Sequence, residues 1–278
     1  MKTKSGLPLF PIGIGTWDIS SRRKSNDPAA KYGGTEAVLG NEAAEIESLR
    51  YSLAKGQNHI DCAELYGAFY TDEVVGRALA GHKREDVYIA DKLWKTSVGK
   101  GLVRPTVEHM LEKLGTDYLD MLYIHAPWED APWQEAVPQI DELIDEGIVR
   151  DFGVSNFTVA KLEQTLLIAG HPITANQMNY NVLHKTEVDE NFRAFCTEHG
   201  IQIVAYQPVK RQEVLASETI RKIAGAHSAT PAQVALAWLL AKDALPIPKA
   251  VQKAHIDENI QATHLALDRA EMVELDSL

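Results

Sequence analysis

Eight times along this chain a short apolar run is followed by a segment whose apolar residues recur three or four apart and stop at a glycine or a turn. The runs are Pro11 to Thr16, His59 to Asp61, Val87 to Lys92, Leu119 to His125, Asp151 to Asn156, Ile173 to Gln177, Ile201 to Tyr206 and Ala244 to Lys249. The helical segments between them are expected at Glu42 to Lys55, about 70–80, Arg104 to Leu114, Trp133 to Glu146, Val159 to Ala169, Val188 to His199, about 214–225 and 231–242, and Ile256 to Ala262, with a last one at about 268–275. Asn41 is the expected cap of the first, and Gly56, Gly115, Gly147, Gly170 and Gly200 are stop signals. Strand–helix alternation predicts a parallel α/β sheet, and eight units of this length favour a closed (β/α)8 barrel built from residues 1–278 as one domain. An open doubly wound sheet is the alternative. Its Gly-x-Gly-x-x-Gly turn is missing, since Gly13 and Gly15 are followed by Asp18 where a third glycine would stand.

A chain of 278 residues with 45% apolar and 24% charged residues can bury a full core without disulfides or metals. Its formal net charge of −11 argues against sequence-independent binding to nucleic acid, which needs clustered Lys and Arg. A small anionic ligand stays possible, because one local basic patch suffices. No apolar run is long enough to span a bilayer, and Met1-Lys2-Thr3-Lys4 is followed by no apolar stretch of a secretory signal. Cys62 and Cys196 match no metal spacing and are expected to be buried, reduced thiols in a cytoplasmic protein.

One connection is long. Residues of about 18–41 form a polar stretch between Trp17 and Glu42, expected as a loop on the catalytic face. Such a stretch is either a functional lid or a tolerated surface insertion. Were it a lid, deleting about residues 22–36 would raise KM.

Three successive strand ends carry titratable side chains. Asp61 ends one apolar run, with Tyr66 five residues on; Lys92 ends the next and His125 the one after. In a parallel barrel those ends converge on the face where active sites are built. A phenol is a poor acid at neutral pH, with a reference pKa of roughly 10. A neighbouring ammonium stabilises its phenolate, and a buried carboxylate keeps that ammonium charged and oriented. The set therefore reads as Tyr66 the general acid, Lys92 its activator, Asp61 the orienter of Lys92, and His125 a hydrogen-bond donor to a substrate carbonyl. Protonating a carbonyl oxygen is useful when hydride arrives at its carbon, and only a nicotinamide cofactor can supply hydride.

At this point the sequence resembles the aldo-keto reductases, over nearly its whole length. Asp61-x-Ala63-x-x-Tyr66-Gly67 with Glu73-x-Val75-Gly76 matches the family's first signature, and Lys92 and His125 match its other catalytic positions. The resemblance implies a (β/α)8 barrel that reduces aldehydes and ketones with NADPH. In Gly15-Thr16-Trp17, Thr16 would lie near the nicotinamide and Trp17 would line the substrate pocket. Ser155, Asn156 and Gln177 would hold the carboxamide, with Asp61 beside them, and Tyr206 would stack under the ring. Lys249 would meet the 2′-phosphate, with Glu258 and Asn259 at the adenine.

Two departures stand out. Ala250 replaces a common serine, and His255 replaces the arginine that grips the 2′-phosphate. An imidazole is only partly charged at neutral pH and cannot make the bidentate contact. NADPH is still expected to be preferred, less strongly than usual and less as pH rises, with NADH possible. Lys210 and Arg211 are either pyrophosphate ligands or a solvated turn. Trp17, Trp94 and Trp128 offer apolar walls, whereas Ala126 stands where many members carry Trp. Few residues follow the last helix to form a closing C-terminal loop. An open site of broad specificity for small aldehydes and dicarbonyls is expected, in a monomer without nucleic-acid or membrane partners. A nucleotide-binding regulatory or partner-binding barrel with incidental reductase activity is the alternative. A metal-dependent hydrolase has little support, since the histidines include no His-x-His.

Overall fold

Gly13 and Gly15 sit where two stretches of backbone come too close for side chains. A Cβ on Gly15 would lie 2.4 Å from the Ile247 carbonyl oxygen, and one on Gly13 would lie 2.9 Å from the His59 ring. That closeness lets Gly13 N–H donate to the Pro246 carbonyl (2.9 Å) and Gly15 N–H to the Pro248 carbonyl (3.1 Å), which joins the first strand to the last. In this computed structural model, which describes residue 3, residues 6–19 and residues 42–278, the eight strands are all parallel and lie in sequence order, so these two bonds close a (β/α)8 barrel.

The strands are β1 (Ile14–Gly15), β2 (His59–Asp61), β3 (Tyr88–Leu93), β4 (Leu119–Ile124), β5 (Val149–Ser155), β6 (Ile173–Asn179), β7 (Gln202–Tyr206) and β8 (Leu245–Pro246). The helices are α1 (Glu42–Ala54), α2 (Tyr70–Leu79), α3 (Val103–Leu114), α4 (Ala136–Asp145), α5 (Val159–Leu166), α6 (Glu190–Glu198), α7 (Arg211–Ala216), α8 (Glu218–Ala226), α9 (Pro231–Ala241), α10 (Lys253–Gln261) and α11 (Arg269–Asp276). Most lie within a few residues of the sequence reading. The segment from Trp133 opens with a 3-10 turn before α4, and α6 starts at Glu190 because the Asp189 carboxylate caps it by accepting the Phe192 N–H. Asn41 and most of the 18–41 loop lie outside the described residues, so the lid question does too.

Side chains alternate across each strand, and the alternation sets the site. Tyr88, Ala90, Met121, Tyr123, Ala175, Val204 and Leu245 pack together inside the barrel. Ile89, Leu93, Leu122, Ile124 and Phe152 pack outward against the helix layer. Two-residue periodicity from Tyr88 and Ala90 brings Lys92 inward, that from Met121 and Tyr123 brings His125 inward, and His59 carries Asp61. The register steps them along the strand ends, with Asp61 opposite Ala90 and Lys92 opposite Tyr123, so each lies two residues beyond the partner of the one before. Gly153 on β5 makes room for this layer, because a Cβ there would lie 2.4 Å from the Tyr123 ring. Both cysteines are free and buried.

Candidate active site

At the carboxyl ends of the strands the barrel opens into a cleft of 840 Å³, lined among others by Trp17, Asp61, Tyr66, Trp94, His125, Tyr206 and Lys249. Lys92 lies under its floor, with no exposed surface. The Lys92 ammonium is 2.7 Å from Asp61 Oδ1, donates to the Cys62 carbonyl at 2.7 Å and reaches the Tyr66 hydroxyl at 3.4 Å. Gln177 Nε2 donates to the same Asp61 oxygen at 2.7 Å, and Thr16 Oγ1 donates to the Asp61 carbonyl at 2.6 Å.

The electrostatics follow from burial and pairing. Burial works against the Lys92 charge, but the Asp61 carboxylate and the Tyr66 hydroxyl outweigh it and hold the ammonium above its ordinary pKa. Burial pushes the Tyr66 hydroxyl up, and Lys92 pulls it down without overcoming burial. Lys92 therefore stabilises the phenolate only in part: it offsets some of the desolvation that would otherwise lock the proton on, without making Tyr66 more acidic than a free phenol. Burial, aided by the Lys92 charge, lowers the His125 pKa to about 3. At neutral pH His125 is an uncharged imidazole. It can donate one hydrogen bond, but it holds no spare proton to act as an acid.

Aromatic rings wall the cleft edge to face. Trp17 lies 5.0 Å from Tyr66 and Trp94 lies 5.1 Å from His125, centroid to centroid. Trp128 packs 5.1 Å behind Trp94 and does not itself line the cleft. Glu64 fixes the Trp94 loop by accepting the Trp94 N–H (2.7 Å) and the Ser97 hydroxyl (2.8 Å), a role sequence reading missed. The one signal was its place two residues before Tyr66.

Beside this floor lies a run of polar side chains. Ser155 Oγ donates to the Gln177 carbonyl, Asn156 Nδ2 donates to Ser155 Oγ, and the Tyr206 hydroxyl donates to Asn156 Oδ1 at 2.9 Å. Asn156 adopts the left-handed region at φ 62°, which Asn tolerates better than most residues. The same cleft is lined by Lys249, His255, Glu258 and Asn259. A half-buried phenol ring, amide groups near it and the Lys249 ammonium in the same cleft fit a ligand with a flat polar head and an anionic group. A nicotinamide dinucleotide has that form, and the cleft is large enough to take one.

Two of the expected ligands, Thr16 and Lys210, do not line the cleft. Thr16 is buried and supports the Asp61 backbone without lining the cleft. Lys210 does not line it either and pairs with Glu213 at 3.3 Å, the solvated-turn alternative. The Arg211 side chain lies outside what is described. Leu65, Val209 and Leu215 line the cleft without having been anticipated. Leu215 was legible only as a helical residue, because no local pattern tells an apolar cleft wall from core.

Comparison with known proteins gives one consistent answer. A family model described as Aldo/keto reductase family matches residues 11–278. The chain is 32% identical to methylglyoxal reductase DkgB of Escherichia coli O157:H7 over 228 residues, 80% of this chain and 83% of that one. A crystal structure of a thermostable aldo-keto reductase, Tm1743, superposes with a TM-score of 0.87 at 34% identity, covering 97% of this chain and 95% of the other. An aldo/keto reductase from Klebsiella pneumoniae, solved with NADP and acetate, superposes with a TM-score of 0.85 at 28% identity, covering 100% and 94%.

Proposed function

The chain belongs to the aldo/keto reductase family, and from that premise we propose that it is an oxidoreductase reducing the carbonyl of small aldehydes, ketones and dicarbonyls with NADP(H). The observation that carries this reading is the Lys92 ammonium held between Asp61 and the Tyr66 hydroxyl on the floor of an aromatic cleft.

When bound, the nicotinamide supplies the hydride that reaches the carbonyl carbon. Tyr66 transfers its proton to the carbonyl oxygen as negative charge develops there. Lys92 stabilises the phenolate left behind, and Asp61 keeps Lys92 charged and in place. His125, neutral, donates a hydrogen bond that aligns the carbonyl. Trp17 and Trp94 exclude water from the reacting end, which strengthens each of these interactions. Ser155, Asn156 and Gln177 hold the carboxamide, Tyr206 fixes the ring face, and Glu258 and Asn259 hold the adenine. Lys249 and His255 take the 2′-phosphate, so NADPH is the preferred form and NADH a weaker one.

Small dicarbonyls are the substrates we favour, supported by the likeness to a methylglyoxal reductase and by the small Ala126 beside His125. We also propose a monomer acting in the cytoplasm. The catalytic set is assembled from one chain, and two free buried thiols suit a reducing compartment. No helix among the described residues is long and apolar enough to cross a membrane.

The test is to mix the protein with NADPH or NADH, add methylglyoxal or glyceraldehyde, and follow cofactor absorbance. Oxidation that depends on the aldehyde and is faster with NADPH is expected. Nucleotide binding without oxidation by any aldehyde would favour a nucleotide-sensing barrel instead.

A further inference from the structure

Lys249 does not point freely into the cleft. Its ammonium donates to the Asp18 carbonyl at 3.2 Å and lies 3.8 Å from Asp18 Oδ2. The two residues follow the strands that close the barrel, so the seam that seats Gly15 against Ile247 and Pro248 fixes both backbones. Asp18 is in the left-handed region at φ 65°, a conformation that costs an aspartate energy and turns the chain back toward Lys249. The carboxylate is thereby built in beside the cation assigned to the 2′-phosphate.

We infer that Asp18 is a specificity-determining residue, whose carboxylate competes with the cofactor's 2′-phosphate for Lys249 and so narrows the advantage of NADPH over NADH. The inference rests on the reading that Lys249 meets that phosphate. An anion beside Lys249 acts twice: it neutralises the ammonium and it repels an incoming dianion. Both side chains are about one-third exposed, so solvent screens the effect and it stays modest. NADH carries no 2′-phosphate and does not sense the competition. Asp18 and His255 act in the same direction: one occupies the remaining cation and the other replaces a permanent one.

The experiment compares dissociation constants for NADPH and NADH, read from quenching of tryptophan fluorescence, in the wild type, Asp18→Asn, Asp18→Glu and Lys249→Met, with thermal melts to confirm folding. Asp18→Asn should tighten NADPH about two- to fivefold, the upper part of the range an exposed ion pair spans, and leave NADH within about 1.5-fold. Asp18→Glu, which keeps the charge, should stay close to the wild type. An unchanged NADPH affinity in Asp18→Asn, or equal tightening of both nucleotides, would overturn the inference. Lys249→Met separates the role of Lys249 from that of Asp18. If it fails to weaken NADPH relative to NADH, the reading of Lys249 has failed. If it weakens NADPH selectively while Asp18→Asn does nothing, only the competition is wrong.

Discussion

Lys92 and Asp61 form a fully buried ion pair, 2.7 Å apart, at the closed end of the cleft. Such a pair is costly to desolvate and is tolerable only when the remaining valences are met. Here the Cys62 carbonyl and Gln177 meet them, and the spare direction of the ammonium is aimed at Tyr66.

Removing one partner strands the other. Lys92→Met should lower stability by about 3–5 kcal/mol, because Asp61 is left buried and uncompensated. It should also lower kcat by at least about a hundredfold, since the phenolate loses its stabilising charge. Denaturant titration and steady-state kinetics read both. A variant of native stability and normal kcat would show that the pair supports neither fold nor chemistry.

His125 provides a contrast in pH behaviour. With its pKa at about 3 the imidazole stays neutral throughout the working range. His125→Gln, which keeps a neutral donor, should retain more activity than His125→Leu, by about ten- to a hundredfold in kcat/KM. Neither substitution should remove an acid limb near pH 6 from the rate profile. An imidazolium titration near pH 6 that disappears with His125 would contradict the neutral-donor role.

Asp91 should make stability depend on pH. It precedes Lys92 and faces the helix layer, where one oxygen accepts the Lys92 N–H and the other finds no hydrogen-bond partner among the described residues. Asp72 on α2 is equally buried, with neither oxygen partnered among the described residues. Burial raises the Asp91 pKa to about 7, and it raises Asp72 as well, reinforced by the Asp91 charge. The unfolded chain releases the Asp91 proton near pH 4, whereas the folded chain keeps it to about pH 7. Between those values the native state binds more protons, so stability falls as pH rises and levels off above about 7. At about 1.4 kcal/mol per unit over about three units, the loss attributable to Asp91 is of the order of 4 kcal/mol. Asp91→Asn should flatten the decline in Tm between pH 5 and 8. An identical decline in both proteins would remove Asp91 from the account.

The seam makes a structural prediction. Gly15→Ala places a methyl 2.4 Å from a backbone carbonyl that cannot rotate away. The strain should cost about 1–3 kcal/mol and weaken cofactor binding, because β1 and β8 lead directly into Trp17 and Lys249. Gly56→Ala probes another glycine, one where a Cβ meets nothing within 4 Å but φ is 93°, so its cost is local conformational strain alone. Melting and nucleotide titration of the two variants should therefore diverge: only Gly15→Ala should lose nucleotide affinity.

The inward positions of Asp61, Lys92 and His125 were legible because strand periodicity is rigid: once Tyr88 and Met121 are inside, the polar strand ends follow. The first and last strands were overestimated, at 11–16 and 244–249 against two residues each. Pro246 and Pro248 have no N–H, so this edge can accept but barely donate, and the ladder there is short. Thr16 could not be placed, because a buried threonine bonding the Asp61 backbone and one touching a ligand have the same sequence. Asp72 and Asp91 were not noticed for a related reason: a carboxylate beside a strand end is ordinarily solvated, and only the packed helix layer makes these two exceptional. The Lys249–Asp18 contact joins residues 231 positions apart and has no local signature.

The central claim is that Tyr66 gives the proton while Lys92 and Asp61 make that possible. The most direct measurement is single-turnover reduction of methylglyoxal by enzyme preloaded with NADPH, in the wild type and Tyr66→Phe. The variant keeps the ring, so nucleotide affinity and folding should be unchanged while the hydride step slows by about a hundredfold or more. A Tyr66→Phe enzyme that reduces the aldehyde at the wild-type rate would show that the proton comes from elsewhere.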